Sequence, residues 1–326
     1  MHEIDLSSFN IRTDLIIEDL KQEHVVNKVG DITISKTQAN GNYYTLSFLD
    51  ITDKDNRLKV LAQFEKVLKE IIKINNIGDD DSCLVIGLGN RLSTPDSLGV
   101  KSASKVLVSA HLFKYSNVLD GVRKVYVFNP GVMASTGIES ARIIKSIIKE
   151  IKPGFVIAID ALASMSVDRI NKTIQITDTG IHPGSGVSNN REEISKRGMG
   201  IPVIAIGVPT VTTSSVIVMD TINYLYKHIS YIKKNEDISK LSYLKSNYKN
   251  KIKELDLSDE DKSKVFGLFG DLTSEEQRRL INEVLNNTEM NLIVTPTEID
   301  FLIDKLSEVI ANGINNSLHR QINHLY

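Results

Sequence analysis

Along the first third of the chain the spacing of apolar residues changes in kind. Ile32-Thr33-Ile34-Ser35 and Tyr43-Tyr44-Thr45-Leu46-Ser47-Phe48 alternate apolar and polar side chains on either side of Asn40-Gly41-Asn42. This predicts an N-terminal β-hairpin, because alternation gives each strand one core face and Asn-Gly supplies the positive φ of a tight turn. From Asp53 the period lengthens. Leu58, Leu61, Phe64, Leu68, Ile71 and Ile72 recur at three- and four-residue steps and predict a helix ending before Asn76-Ile77-Gly78. The middle of the chain carries short, almost continuous apolar runs at 84–86, 125–128, 155–159 and 202–206. Such runs suit strands buried on both faces. With helical stretches between them they predict an α/β fold, an open, mostly parallel twisted sheet flanked by helices and joined by right-handed crossovers.

Three helix starts can be read from capping chemistry. Thr136 and Glu139 have capping-box spacing ahead of Ile143, Ile144, Ile147 and Ile148. Thr273-Ser274-Glu275-Glu276 repeats that spacing, and Thr295-Pro296-Thr297-Glu298 places proline at a first helical position. No buried strand is expected beyond about residue 228, so the last part of the chain reads as a C-terminal helical addition packed on the core.

Composition narrows the class. With 39 basic and 41 acidic residues the net charge is −2, which gives no overall field for nucleic acid or an anionic membrane. The 41% hydrophobic and 25% charged content is that of a globular chain rather than a disordered one. Cys83 is the single cysteine. It excludes an internal disulfide framework and a cysteine-ligated zinc site, fits a reducing compartment, and reads as a small core residue entering a strand. There is no apolar stretch after Met1 and no 18-residue apolar run, so the expectation is a cytoplasmic protein with no membrane segment.

In an open α/β sheet, ligands bind at the carboxyl ends of the strands. The residues following the apolar runs are Gly87-Leu88-Gly89-Asn90-Arg91-Leu92-Ser93-Thr94-Pro95-Asp96, Asp160-Ala161-Leu162, and, after Ile174–Thr177, Asp178-Thr179-Gly180-Ile181-His182-Pro183-Gly184-Ser185-Gly186. Several familiar chemistries fail on these residues. The turn at Gly87 has Leu92 where a dinucleotide fingerprint needs its third glycine, and there is no lysine-bearing phosphate loop. Pro183 stands where a nucleophile elbow needs glycine. Asp178-Thr179-Gly180 matches the tripeptide of pepsin-like proteases, but the chain has neither a second copy nor an all-β pattern. What survives is the pair Asp96 and Asp160. Two neighbouring carboxylates do not both ionise easily, so the pair can hold one proton, activate water with one member and protonate a leaving amine with the other. The plain alternatives are that each aspartate is a turn former or helix cap and that His182 is a loop histidine. A separate segment, 227–253, intersperses lysines with Tyr231, Tyr243 and Tyr248. Basic residues among aromatics can track single-stranded nucleic acid, so a non-enzymatic binding module is one alternative, although lysines on a helix are more commonly just solvated.

Taken in order, these motifs resemble the germination proteases of spore-forming bacteria: Val85-Ile86-Gly87-Leu88-Gly89-Asn90 with Thr94-Pro95-Asp96, Pro130-Gly131-Val132-Met133, Ile157–Ala163, Asp178–Gly186 and Gly200–Gly207. The resemblance runs from Asp5-Leu6-Ser7 to Leu318-His319, with a departure at Val100, where the family commonly has proline. It implies an endopeptidase that degrades small acid-soluble spore proteins during germination, in the cytoplasm of the forespore and in the spore core. It further implies a homotetramer made as a self-processing zymogen cut at Asp14-Leu15, with Asp96 and Asp160 catalytic. Asp178 and His182 are candidate supporting residues. The organisation expected is a pro-segment 1–14, an N-terminal segment with hairpin 15–56, a peptidase core 57–230 and a helical addition 231–326. The core is also similar to hydrogenase maturation endopeptidases, in which two acids and a histidine bind nickel. That keeps open a metallopeptidase in which Asp96, Asp160 and His182 hold a divalent ion. The metal-free pair, with no cofactor, is preferred because spacing does not anchor His182.

Overall fold

The computed structural model describes residues 25–114, 120–183, 192–235 and 251–320. The expected pro-segment and its Asp14-Leu15 cut lie outside the described residues, as do Gly184-Ser185-Gly186 and residues 236–250 of the lysine–tyrosine stretch.

The described chain opens with three antiparallel strands, β1 (Val25–Val29), β2 (Ile32–Gln38) and β3 (Asn42–Ser47). The hairpin closes with Gln38 opposite Asn42, so the turn is Ala39-Asn40-Gly41, one residue before the expected Asn40-Gly41-Asn42. Neither Asn40 nor Gly41 takes the positive φ expected of an Asn-Gly turn. Helix α1 (Lys54–Ile74) is capped by Asp53, whose carboxylate accepts the Asn56 N–H at 2.7 Å. Its buried stripe is Val60, Phe64, Val67, Leu68, Ile71 and Ile72. Leu58, expected inside, is 54% exposed. Two residues on a 3.6-residue helix are about 200° apart, so burying Val60 turns Leu58 to solvent.

Strand and helix then alternate: β4 (Cys83–Gly87), α2 (Leu98–Ser104), β5 (Val125–Phe128), a short α3 (Met133–Thr136), α4 (Ser140–Ile151), β6 (Phe155–Ser164), β7 (Thr173–Thr177), α5 (Lys196–Met199), β8 (Val203–Thr213) and α6 (Ser214–Asn235). There follow α7 (Asp259–Phe266), α8 (Ser274–Asn287), the two-residue β9 (Ile293–Val294) and α9 (Ile299–Leu318). Cys83 is fully buried in β4, and burial pushes its thiol pKa up.

Of the three expected helix starts, one holds in full. Thr273 and Glu276 form both bonds of a capping box at the head of α8. The helix expected from Thr136 is corrected: Thr136 ends α3, Gly137 breaks the chain at φ +71, and α4 begins at Ser140. The Glu139 carboxylate, free of capping duty, accepts the Glu192 N–H at 2.6 Å. The helix expected from Thr295 begins later, at Ile299. The Thr295 hydroxyl instead donates to the Thr210 carbonyl at 2.9 Å.

The strand order is β1-β2-β3-β7-β8-β6-β4-β5. Strand β4 runs parallel to β5 and to β6. β6 and β8 start side by side in the same direction, Val156 N–H donating to the Pro202 carbonyl at 2.9 Å. The hairpin is no separate addition. β3 pairs with β7, and β7 pairs antiparallel with β8, so it extends the parallel core into a mixed sheet. Alternation along each strand sorts the two faces. Cys83, Val85, Phe155, Ile157, Ile159, Ile204 and Ile206 pack with Phe64 and Leu68 of α1 and Ile303, Leu306 and Ile310 of α9. Leu84, Ile86, Val156, Ala158 and Val203 pack with Ile144 and Ile148 of α4 and Met199 of α5.

The chain forms two compact units, one of residues up to Val211 and from Thr295 onward, the other Thr212–Val294. This partition differs from a break at 230/231. α9 shares the apolar core of α1 and so is part of the α/β unit. In the second unit α6 and α8 pack together, with the Gln277 amide donating to the Tyr226 hydroxyl at 3.1 Å. Among the described residues no helix is long and apolar enough to cross a membrane.

Candidate active site

The corner where β4 ends against the middle of β6, which runs on past the expected strand end at Ile159, is built by glycines. Gly87 is the last residue of β4 and pairs with Ile159 of β6. Beyond it the chain does not leave the sheet: Leu88 N–H donates to the Ile159 carbonyl at 2.8 Å. The first turn of α2 then presses back on that crossing. A Cβ at Gly99 would meet the Ile159 carbonyl oxygen and the Leu88 backbone inside any permitted contact. Gly89, at φ +99, lies against the backbone of Asp96, and a Cβ there would strike the Asp96 carbonyl oxygen. Glycine is required at both positions because backbone must approach backbone.

This path returns Asp96 to the end of β4. Residues Thr94–Asp96 form one 3-10 turn with Pro95 near its start. The Asn90 N–H points back at the turn, 2.8 Å from Asp96 Oδ2 and 3.1 Å from the Asp96 carbonyl. The turn is pinned from the far side by the buried Thr210 of β8, whose hydroxyl donates to the Pro95 carbonyl at 2.8 Å. Asp160 follows Ile159 in β6, is 6% exposed, and accepts the Ala161 N–H at 2.9 Å. In strand phase it shares the α4 face with Ala158 and Leu162. The Leu88–Ile159 bond and the Gly89–Asp96 contact thus lay the turn that bears Asp96 against the strand that carries Asp160. Asp96 is partly exposed and Asp160 buried, which sets one carboxylate toward solvent and one toward the core.

Asp178 is placed elsewhere. β7 runs antiparallel to β8, with Thr177 opposite Ala205, so its carboxyl end lies where β8 begins, at the opposite edge of the sheet. There the Asp178 carboxylate accepts the Asn42 N–H at 2.8 Å, the Asn42 amide at 2.7 Å and the Asn75 amide at 3.1 Å. It ties the hairpin to the end of α1. His182 follows the Ile181–Ile194 bridge, with 64% of its side chain exposed and Nε2 3.8 Å from Glu193 Oε2. The Arg197 guanidinium, 2.8 Å away, is the main reason the Glu193 carboxyl is held below its usual range.

Among the described residues no three His, Cys, Asp or Glu side chains converge so as to hold a metal ion. Asp96, Asp160 and His182 therefore form no such group among the described residues. In the lysine–tyrosine stretch, Lys233 is engaged by Asp261 at 2.6 Å, which removes one free cation from the nucleic-acid alternative.

Gly99 and Thr210 also build the site and are not singled out by the motifs. The signal for Thr210 was a hydroxyl in the extension of an otherwise apolar run, and for Gly99 a glycine inside a helix.

Residues 3–325 match the germination protease family. The germination protease of Bacillus pumilus is 43% identical over 359 residues, covering 98% of this chain and 96% of the relative. Those of Priestia megaterium and Bacillus subtilis are each 41% identical with the same coverage of both chains.

Proposed function

This chain belongs to the germination protease family, a family of peptidases, and from that premise we propose that it degrades small acid-soluble spore proteins during germination, using Asp96 and Asp160. The observation that carries the reading is the glycine-built corner that folds the Asp96 turn back onto the strand bearing Asp160. One carboxylate takes a proton from water as the oxygen attacks the scissile carbonyl carbon. The other carries the shared proton and gives it to the amide nitrogen as the C–N bond breaks. The backbone N–H groups of Asn90 and Ala161 orient the carboxylates for that exchange.

The zymogen cut at Asp14-Leu15 belongs to the same proposal. Continuing the β6–β8 pairing places Asp160 level with Gly207, and the register then passes through Gln175, Thr45 and Ser35 to Val26. Five strand spacings make about 24 Å. The ten residue-to-residue steps from Leu15 to Val25 can span roughly 33–36 Å when extended. A chain's own cleavage site is therefore long enough to reach its own aspartates, and tethering raises its effective concentration. We expect the protease to work as a homotetramer in the forespore cytoplasm and spore core, without a cofactor.

The test is intact mass of the full chain, and cleavage of a spore-protein peptide, for wild type, Asp96→Asn and Asp160→Asn, with and without chelator. Each variant is expected to lose about 100-fold or more in cleavage rate while its unfolding temperature holds. Residual activity within tenfold of wild type in either variant would remove that residue from the mechanism, and loss of wild-type activity in chelator would reinstate a metal.

A further inference from the structure

We propose that a cavity at the edge of the sheet opposite Asp96 and Asp160 binds a small oxyanion, a carboxylate or a phosphate. The cavity, about 680 Å³, is formed where the carboxyl ends of α1 and α9 meet the chain entering β4 and β5. Its walls include Lys69, Lys73, Asp79, Arg123, Ser317 and Arg320.

Arg123 is the group that points to a ligand. Its side chain is 4% exposed and lies over the Phe155 ring, 5.4 Å from the centroid. Nη1 donates to the carbonyls of Gly78 at 2.8 Å and Asp81 at 2.6 Å. Nη2 comes only to 4.0 Å of Asp79, whose other carboxylate oxygen is held by Arg320. Nε is buried with no hydrogen-bond partner. A buried guanidinium is costly unless its charge and its donors are met, and here neither is met in full. The Ser317 hydroxyl, buried in the same wall, is also without a partner. Nε can only donate and the hydroxyl can donate, so the missing group is an acceptor.

Charge points the same way. Lys69 is paired with Glu65 and Arg320 with Asp79, which leaves Lys73 and Arg123 against Asp80, an excess of one positive charge. The carboxyl end of α1 accounts for Lys73 at the rim, since a cation there offsets the helix dipole. It does not account for a guanidinium sealed beneath the rim with an idle donor. Planar bidentate recognition of carboxylate or phosphate is what an arginine in this state is suited to. The volume leaves room for the anion to be carried on a larger body.

The test uses the full-length protein, with calorimetric titration and unfolding temperature measured in inorganic phosphate, acetate and chloride at equal ionic strength. Saturable binding of phosphate or acetate is expected, with an unfolding temperature above that in chloride, and the preferred anion separates a phosphate ligand from a carboxylate. Lys73→Gln, at an exposed position, and Ser317→Ala are expected to weaken that binding by about fivefold or more while the protein stays folded. Arg123→Met should abolish it, and if that variant does not fold the other two carry the test. No saturable effect beyond chloride, or affinities unchanged in both Lys73→Gln and Ser317→Ala, would overturn the site.

Discussion

Asp160 and Asp178 look alike in sequence, each an aspartate at or just beyond an apolar strand run, yet the sheet gives them opposite tasks. Asp160 lies on a strand parallel to β4, beside a loop that glycines fold onto that strand together with the turn bearing Asp96. Asp178 ends a strand of reversed direction and meets two asparagines that satisfy it. The difference is made by strand direction. In a parallel core, successive carboxyl ends gather at one edge and can assemble a site. An antiparallel neighbour sends its carboxyl end to the other edge, where the same side chain becomes a brace between hairpin, helix and strand.

The most severe way to break the contrast is Gly99→Ala. The added methyl meets the Ile159 carbonyl and both backbone polar atoms of Leu88, none of which can step aside. We expect cleavage to fall by about 100-fold or more, with a stability loss of about 3 kcal/mol by denaturant unfolding. Near-wild-type activity would mean that the close approach of loop and strand is not what assembles the pair.

Asp178→Ala tests the other side. It removes an acceptor from three donors and should cost about 2–3 kcal/mol of stability. Cleavage by the protein still folded should stay within about threefold of wild type, since the brace is at the far edge. A loss of kcat beyond tenfold at unchanged stability would return Asp178 to the site.

This contrast also marks how far the sequence could be read. Alternation in β2 and β3 and the apolar runs of β4, β6 and β8 are local signals of face and burial, and each strand is found where it was expected. The run of β5 also forms a strand, but at the sheet edge with only Val125 buried, because the neighbour that would cover it is not a local property. Thr273 and Glu276 make their capping box because both partners lie within four residues. Thr136 and Glu139 have the same spacing but Gly137 between them, and the chain breaks there instead. Strand direction was not legible. Thr173–Thr177 carries the same alternation whichever way it runs, and only pairing with β3 and β8 decides it. The same limit hid Thr210, whose partner, Pro95, is 115 residues away.

The smallest expected effect lies in the half of the sheet that Asp178 braces. Tyr44 of β3 donates to Glu70 Oε1 of α1 at 2.7 Å, and Lys36 of β2 donates to the same oxygen at 2.9 Å. Burial pushes the Tyr44 phenol up to about 12, so it remains a donor at neutral pH. The Tyr44 bond first and the Lys36 bond second hold the Glu70 carboxyl below its usual range. A lowered folded pKa contributes stability that is fully present above the unfolded value, about 4.3, and that is lost as pH falls through the folded value. Glu70 and Lys36 are 44% and 32% exposed, so the contribution is small, under about 1 kcal/mol. Glu70→Gln should therefore be slightly less stable than wild type at pH 7 in urea unfolding, and the gap should close as pH falls below about 4. Cleavage should be unchanged. A gap that persists undiminished at pH 3 would show that Glu70 acts through packing rather than charge, because protonation would then have nothing left to remove.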